Sequence, residues 1–148
     1  MRHFIWLISV FLMTFVTLAA ASDGPIGSIK TTKGTASIVR QEKVILAKIG
    51  ERIFEGDILR TGADGSLGVI FKDDTLLSLG PNSELAIDEF LFAPAQGKLS
   101  FVTRMLRGTA AYLSGIIAKL SPESVRFETP VGSVGIRGTK FVVKIDEK

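Results

Sequence analysis

Three glycines at every third position, Gly132, Gly135 and Gly138, followed by Thr139 and Lys140, are the first candidates for chemistry, because closely spaced glycines let backbone amides converge on a phosphate. A phosphate loop places its lysine just before Ser or Thr at the mouth of a helix. Here the order is Gly138-Thr139-Lys140, and Phe141-Val142-Val143 behind it is aromatic and β-branched strand chemistry. The glycines are therefore read as punctuation between short strands, in a segment where Val131, Val134, Ile136, Phe141, Val143 and Ile145 supply inward apolar groups.

Nucleophilic and metal chemistry find little else to use. The chain has no cysteine, and its one histidine, His3, lies in a segment with the anatomy of an export signal. That segment has a basic start (Arg2, His3), an apolar run from Phe4 to Leu18, and Ala19-Ala20-Ala21 ahead of Ser22. Cleavage is expected after Ala21, leaving a domain over 22–148 in the periplasm or secreted, without Ser-His-Asp, Cys-His or ordinary zinc machinery. The competing reading is an uncleaved anchor, since Phe4 to Ala21 approaches the ~20 apolar residues that span a bilayer. Membrane contact is expected only in that case.

Carboxylates remain. Asp73-Asp74 reads as a hairpin tip, because a calcium loop wants alternating oxygen ligands around a glycine bend. Asp88-Glu89 lies beside Phe90, Leu91 and Phe92, but glycosidase chemistry needs two carboxyls facing each other across a cleft, which adjacency in sequence does not supply. No catalytic residue, metal ligand or cofactor is expected.

With 148 residues, 46% of them apolar, the chain suits one compact domain. Its net charge of +3 falls to +2 once Arg2 leaves, and the basic residues are spread from Lys30 to Lys148, which gives no nucleic-acid footprint. An exported chain without cysteine must be held by packing alone.

Period-two alternation at Leu67, Val69 and Phe71, at Val125, Phe127 and Thr129, and at Phe141, Val143 and Ile145 marks strands. Turn signals crowd between them, at Gly50-Glu51, Glu55-Gly56-Asp57, Thr61 to Gly65, Lys72 to Asp74, Gly80 to Ser83 and Ala93 to Gly97. One segment dissents. Leu113, Ile116, Ile117 and Leu120 have helical spacing, stopped by Pro122, which predicts a short helix near 113–120. Arg104, Arg107 and Lys119 flank it; an amphipathic basic segment could meet a membrane, although such residues are more often the solvated side of a buried element.

Lys33-Gly34-Thr35, Arg107-Gly108-Thr109 and Arg137-Gly138-Thr139 each lead into an apolar run. Their recurrence suggests stacked units, so the expected fold is mainly β, with stacked short antiparallel strands in a β-solenoid-like form or a two-sheet sandwich. The run Phe90, Leu91, Phe92, Ala93, Pro94 cannot bury every side chain in one strand, and Phe90, Leu91, Phe92 and Pro94 form the candidate partner surface.

Three ordered blocks resemble the FecR-like domain family: Gly50 to Gly62, Leu67 to Leu85 and Thr129 to Phe141, within a similarity running from about Gly27 to Val143. The resemblance implies a β-rich, extracytoplasmic domain that is usually not an enzyme; the best-known members sense an outer-membrane iron transporter and signal to a sigma factor. It also implies mainly structural roles for Gly56, Asp57, Thr61, Gly62, Pro130, Arg137, Gly138, Thr139 and Phe141, with Asp57 bonding backbone amides in a Gly-Asp turn. Only three residues precede the apolar run, so direct contact with a cytoplasmic sigma factor is not expected, and the partner is expected to be an envelope protein. Asp74 stands where the family often has glycine, and the strand before Lys148 is expected to be a sheet edge able to accept a partner strand. A carbohydrate-binding or structural envelope module is the alternative.

Overall fold

The computed structural model describes residues 24–136 and 140–146. The expected export segment lies outside them, as do Arg137, Gly138 and Thr139. Among the described residues are twelve strands: β1 (Gly27–Lys33), β2 (Ala36–Arg40), β3 (Lys43–Leu46), β4 (Arg52–Ile53), β5 (Ile58–Thr61), β6 (Ser66–Phe71), β7 (Leu76–Leu79), β8 (Glu84–Ala93), β9 (Lys98–Leu113), β10 (Val125–Thr129), β11 (Gly132–Gly135) and β12 (Lys140–Ile145). One α-helix, α1 (Ile116–Leu120), accompanies them.

All twelve belong to one hydrogen-bonded sheet, antiparallel except where β10 runs parallel to β9. The sheet folds back on itself into two layers. The first holds β4, β1, β6, β7, the second half of β9 and β12; the other holds β3, β2, β5, β8, the first half of β9, β10 and β11. Alternation does the rest: Leu67, Val69, Phe71, Leu77 and Leu79 from one layer meet Ile38, Leu59, Leu85, Ile87 and Phe101 from the other in a single core. Phe71 touches both Phe90 and Phe101, at ring separations of 5.6 and 4.8 Å, so the aromatic cluster fastens layer to layer.

The fold line is made of two of the turn segments and two of the Gly-Thr repeats. β1 passes into β2 through Gly34-Thr35, β5 into β6 through Gly62 to Gly65, β7 into β8 through Gly80 to Ser83, and β9 bends at Gly108. At each, the chain continues in the same general direction in the other layer, still beside the same neighbour: Lys33 pairs with Ser66 and Ala36 with Thr61. Hydrogen bonds stitch the corners together. The Gly62 amide donates to Thr35 O at 2.9 Å, and the Asn82 amide to Gly62 O at 3.0 Å. The Thr61 hydroxyl donates to Gly80 O and accepts from the Ser83 amide, while the Ser83 hydroxyl accepts from the Thr109 amide. The first two Gly-Thr repeats thus sit on the crease, where a glycine fits the crowded backbone and the following threonine starts the next run.

Three expectations are corrected here. Leu113 ends β9 and is exposed, so the helix is confined to Ile116–Leu120, with Ile117 and Ala118 buried and Leu120 outward. The reason is Gly115: a Cβ there would lie 2.3 Å from Asp73 O, so this residue is wedged, extended, against the β6–β7 turn and cannot carry a helix through from Leu113. Arg104 and Arg107 are strand residues, paired with Asp88 and Glu84, and form no basic helix face. Val131 and Val134 are also outward, at the β10–β11 hairpin, whereas Ile136 is buried and Phe141, Val143 and Ile145 pack on the core.

Candidate functional site

The two buried carboxylates, Asp57 and Asp73, are engaged in holding the backbone. Asp57, with its side chain 1% exposed, meets Arg40 of β2 through two hydrogen bonds, Nε to Oδ1 at 2.9 Å and an amino group to Oδ2 at 2.8 Å, and accepts the Phe54 amide as well. Arg40 in turn caps the ring of Phe54, 4.5 Å away, and donates to Arg52 O. Hydrogen bonding to Asp57 raises the Arg40 pKa, so the guanidinium stays charged. Nothing in the sequence pairs these two; they meet because β2 lies beside β5.

Asp73 is fully buried. It accepts the Thr75 amide and hydroxyl at 3.1 and 2.9 Å and the Ile117 amide at 3.2 Å, and its own carbonyl takes the Ile116 amide at 2.7 Å. It therefore docks α1 as well as shaping a hairpin tip. Asp73→Ala is expected to cost about 2 kcal/mol, the desolvation of the orphaned donors, and to speed amide exchange at Ile117 selectively; unchanged exchange there would remove the docking role.

The aromatic run before Pro94 is divided by the sheet. A bulge between Ile87 and Glu89 lets Ile87 and Phe90 both face inward. Phe90 is buried among Phe71 and Phe101 and is no partner surface; Phe92 is half-buried against the core, and only Leu91 and Pro94 remain outward. At the other end of the cluster Tyr112 stacks on Phe141 at 4.9 Å, and Phe141 meets Phe127 edge-on. Burial pushes the Tyr112 phenol above its ordinary pKa, so it stays protonated.

Some of the exposed apolar groups lie on edge strands. Among the described residues β3 pairs only with β2, and its outward Val44 and Leu46 are 68% and 63% exposed, with Ile49 just beyond. Among the described residues β12 pairs only with β9, and it presents Val142 outward between Lys140 and Lys144. The strand before Lys148 is the edge expected from the sequence; β3 carries no such mark, because its position depends on the order in which the strands assemble.

Residues 57–148, more than half of the chain, match the family described as FecR protein. The chain belongs to the FecR family. No curated protein and no solved structure matches it. FecR domains are regulatory and envelope-associated. In this FecR domain the matched region starts at Asp57, yet β1 to β4 precede it and complete both layers, so the folded unit is wider than the match. Gly56 adopts φ 87° beside Asp57, Thr61 and Gly62 lie on the crease, and Phe141 joins the aromatic stack. Pro130 is at the exposed β10–β11 turn, where the Thr129 hydroxyl donates to Gly132 O. No helix among the described residues is long and apolar enough to cross a membrane.

Proposed function

We propose that this FecR domain is an exported, non-catalytic regulatory module that binds another envelope protein, with β3 as the docking edge. The observation that carries the reading is the pairing of a regulatory family with an open strand whose Val44 and Leu46 stand in solvent. A strand added there would gain main-chain hydrogen bonds along β3 and cover both side chains. Lys43 at the head of the strand discourages pairing with arbitrary chains. The engagement of Asp57, Asp73, Glu84 and Asp88 in internal bonds supports a binding role over hydrolysis. The large apolar side chains left exposed among the described residues are all aliphatic, which favours protein over the stacked sugar rings of a carbohydrate module.

A photo-crosslinking residue at Leu46 in intact cells is expected to give a discrete adduct with one envelope protein, lost on Val44→Asp. Adducts from Leu91 with none from Leu46 would move the site to the Leu91–Pro94 end; none from either position would end the binding reading.

A further inference from the structure

The strand charges are sorted between the two layers. The first-layer strands contain Lys30, Lys33, Arg52, Lys140 and Lys144 and no carboxylate. Every strand carboxylate, Glu84, Asp88, Glu89 and Glu128, stands in the other layer, where Glu84 pairs with Arg60 and Arg107 and Asp88 with Arg104. Lys144 has Asp146 as a neighbour at 3.3 Å, so the surplus on the first layer rests on the other four cations.

Register puts these charges around a field of small and apolar side chains. One row across the outer face reads Arg52, Ser28, Ile70, Leu76, Leu113, Lys140; the next reads Thr31, Gly68, Ser78, Ala111, Val142. Their sequence neighbours Ile29, Val69, Leu77 and Tyr112 fill the core, so these rows face away from it. Relief is low. The middle of the second row is glycine, serine and alanine, leaving a shallow groove of about 230 Å³ beside Lys30 and Leu76. Leu113 and Val142 are 41% and 61% exposed.

We propose that this outer face is a peripheral docking surface for an anionic phospholipid bilayer. Complementarity requires an acidic occupant broad enough to span six strands, roughly 25 Å at the usual strand spacing, with cations of both edge strands reaching headgroups while Leu113 and Val142 enter the apolar boundary. An acidic peptide would satisfy one edge and leave the other. This surface is independent of the β3 edge and stands or falls separately from it.

The mature chain from Ser22 contains no tryptophan, since Trp6 precedes it. Val142→Trp therefore makes a single reporter, to be titrated with phosphatidylcholine vesicles containing about one third phosphatidylglycerol. A blue shift is expected with these vesicles, none with pure phosphatidylcholine, and reversal at high salt. Lys30→Glu with Lys140→Glu in the same background is expected to weaken partitioning at least tenfold, while Lys43→Glu with Lys48→Glu leaves it unchanged, each variant being checked for the parent's dichroism spectrum. Absence of the shift, an equal shift from Leu46→Trp, or equal loss from the Lys43 and Lys48 changes would overturn the proposal, as would protection of Val142→Trp by an acidic protein alone.

Discussion

Gly108→Ala is expected to cost about 4 kcal/mol and to lower the melting temperature by roughly 15 °C. Two effects add. The residue adopts φ 87°, where an L side chain costs about 1–2 kcal/mol. The added Cβ would also lie 2.2 Å from Ser83 Oγ, 2.5 Å from Ser83 Cα and 2.7 Å from Asn82 O, and two of those three atoms are backbone that cannot rotate aside. Ser83 is the residue whose hydroxyl takes the Thr109 amide and whose own amide is held by Thr61, so a shift there is transmitted along the crease. Gly56→Ala separates the terms, because Gly56 has the same φ of 87° and nothing within 4 Å of its Cβ position. It should lose about 1 kcal/mol in urea denaturation. Equal losses at the two sites would mean that the crease has room, and that the packing attributed to it is wrong.

The crease also marks the limit of what could be read from residue order. Alternation in Leu67-Val69-Phe71 identifies strands because burial on one face is a local property. Whether Gly62 to Gly65 reverses the chain or only tips it into a second layer is not local; it depends on Thr35 and Asn82 lying on either side, from segments far away in sequence. The Gly-Thr repeats were visible as a shared need without revealing its cause. Helical spacing at Leu113 to Leu120 failed for a related reason: Asp73, some forty residues earlier, supplies the partner for the Ile117 amide and fixes where the helix starts. Phe90 was misplaced because one bulge at Asp88 reverses the facing of everything after it. The β3 edge was invisible, since an edge is defined by which strand fails to arrive.

The Arg40–Asp57 pair shows how such a distant contact should register. Removing either partner breaks the two bonds between them, but the charge left behind differs: Asp57 is 1% exposed and Arg40 28%. Arg40→Ala strands a carboxylate with only the Phe54 amide for company and is expected to cost about 4 kcal/mol, near the range for orphaning a buried ion. Asp57→Ala leaves an arginine that can swing to water and should cost about 2–3 kcal/mol, part of it from the unpaired Phe54 amide. In the double variant neither charge is stranded, so its loss should fall short of the sum by about 2 kcal/mol. Additive losses would show that the two residues stabilise the domain separately, through packing on Phe54 in one case and turn geometry in the other. Because Arg40 closes the β2–β3 hairpin and Asp57 opens β5, the pair also fixes where the β3 edge is presented. Arg40→Ala should therefore weaken crosslinking from Leu46 even where enough folded domain remains to be measured, whereas Asp73→Ala, acting at the β6–β7 turn, should leave it intact.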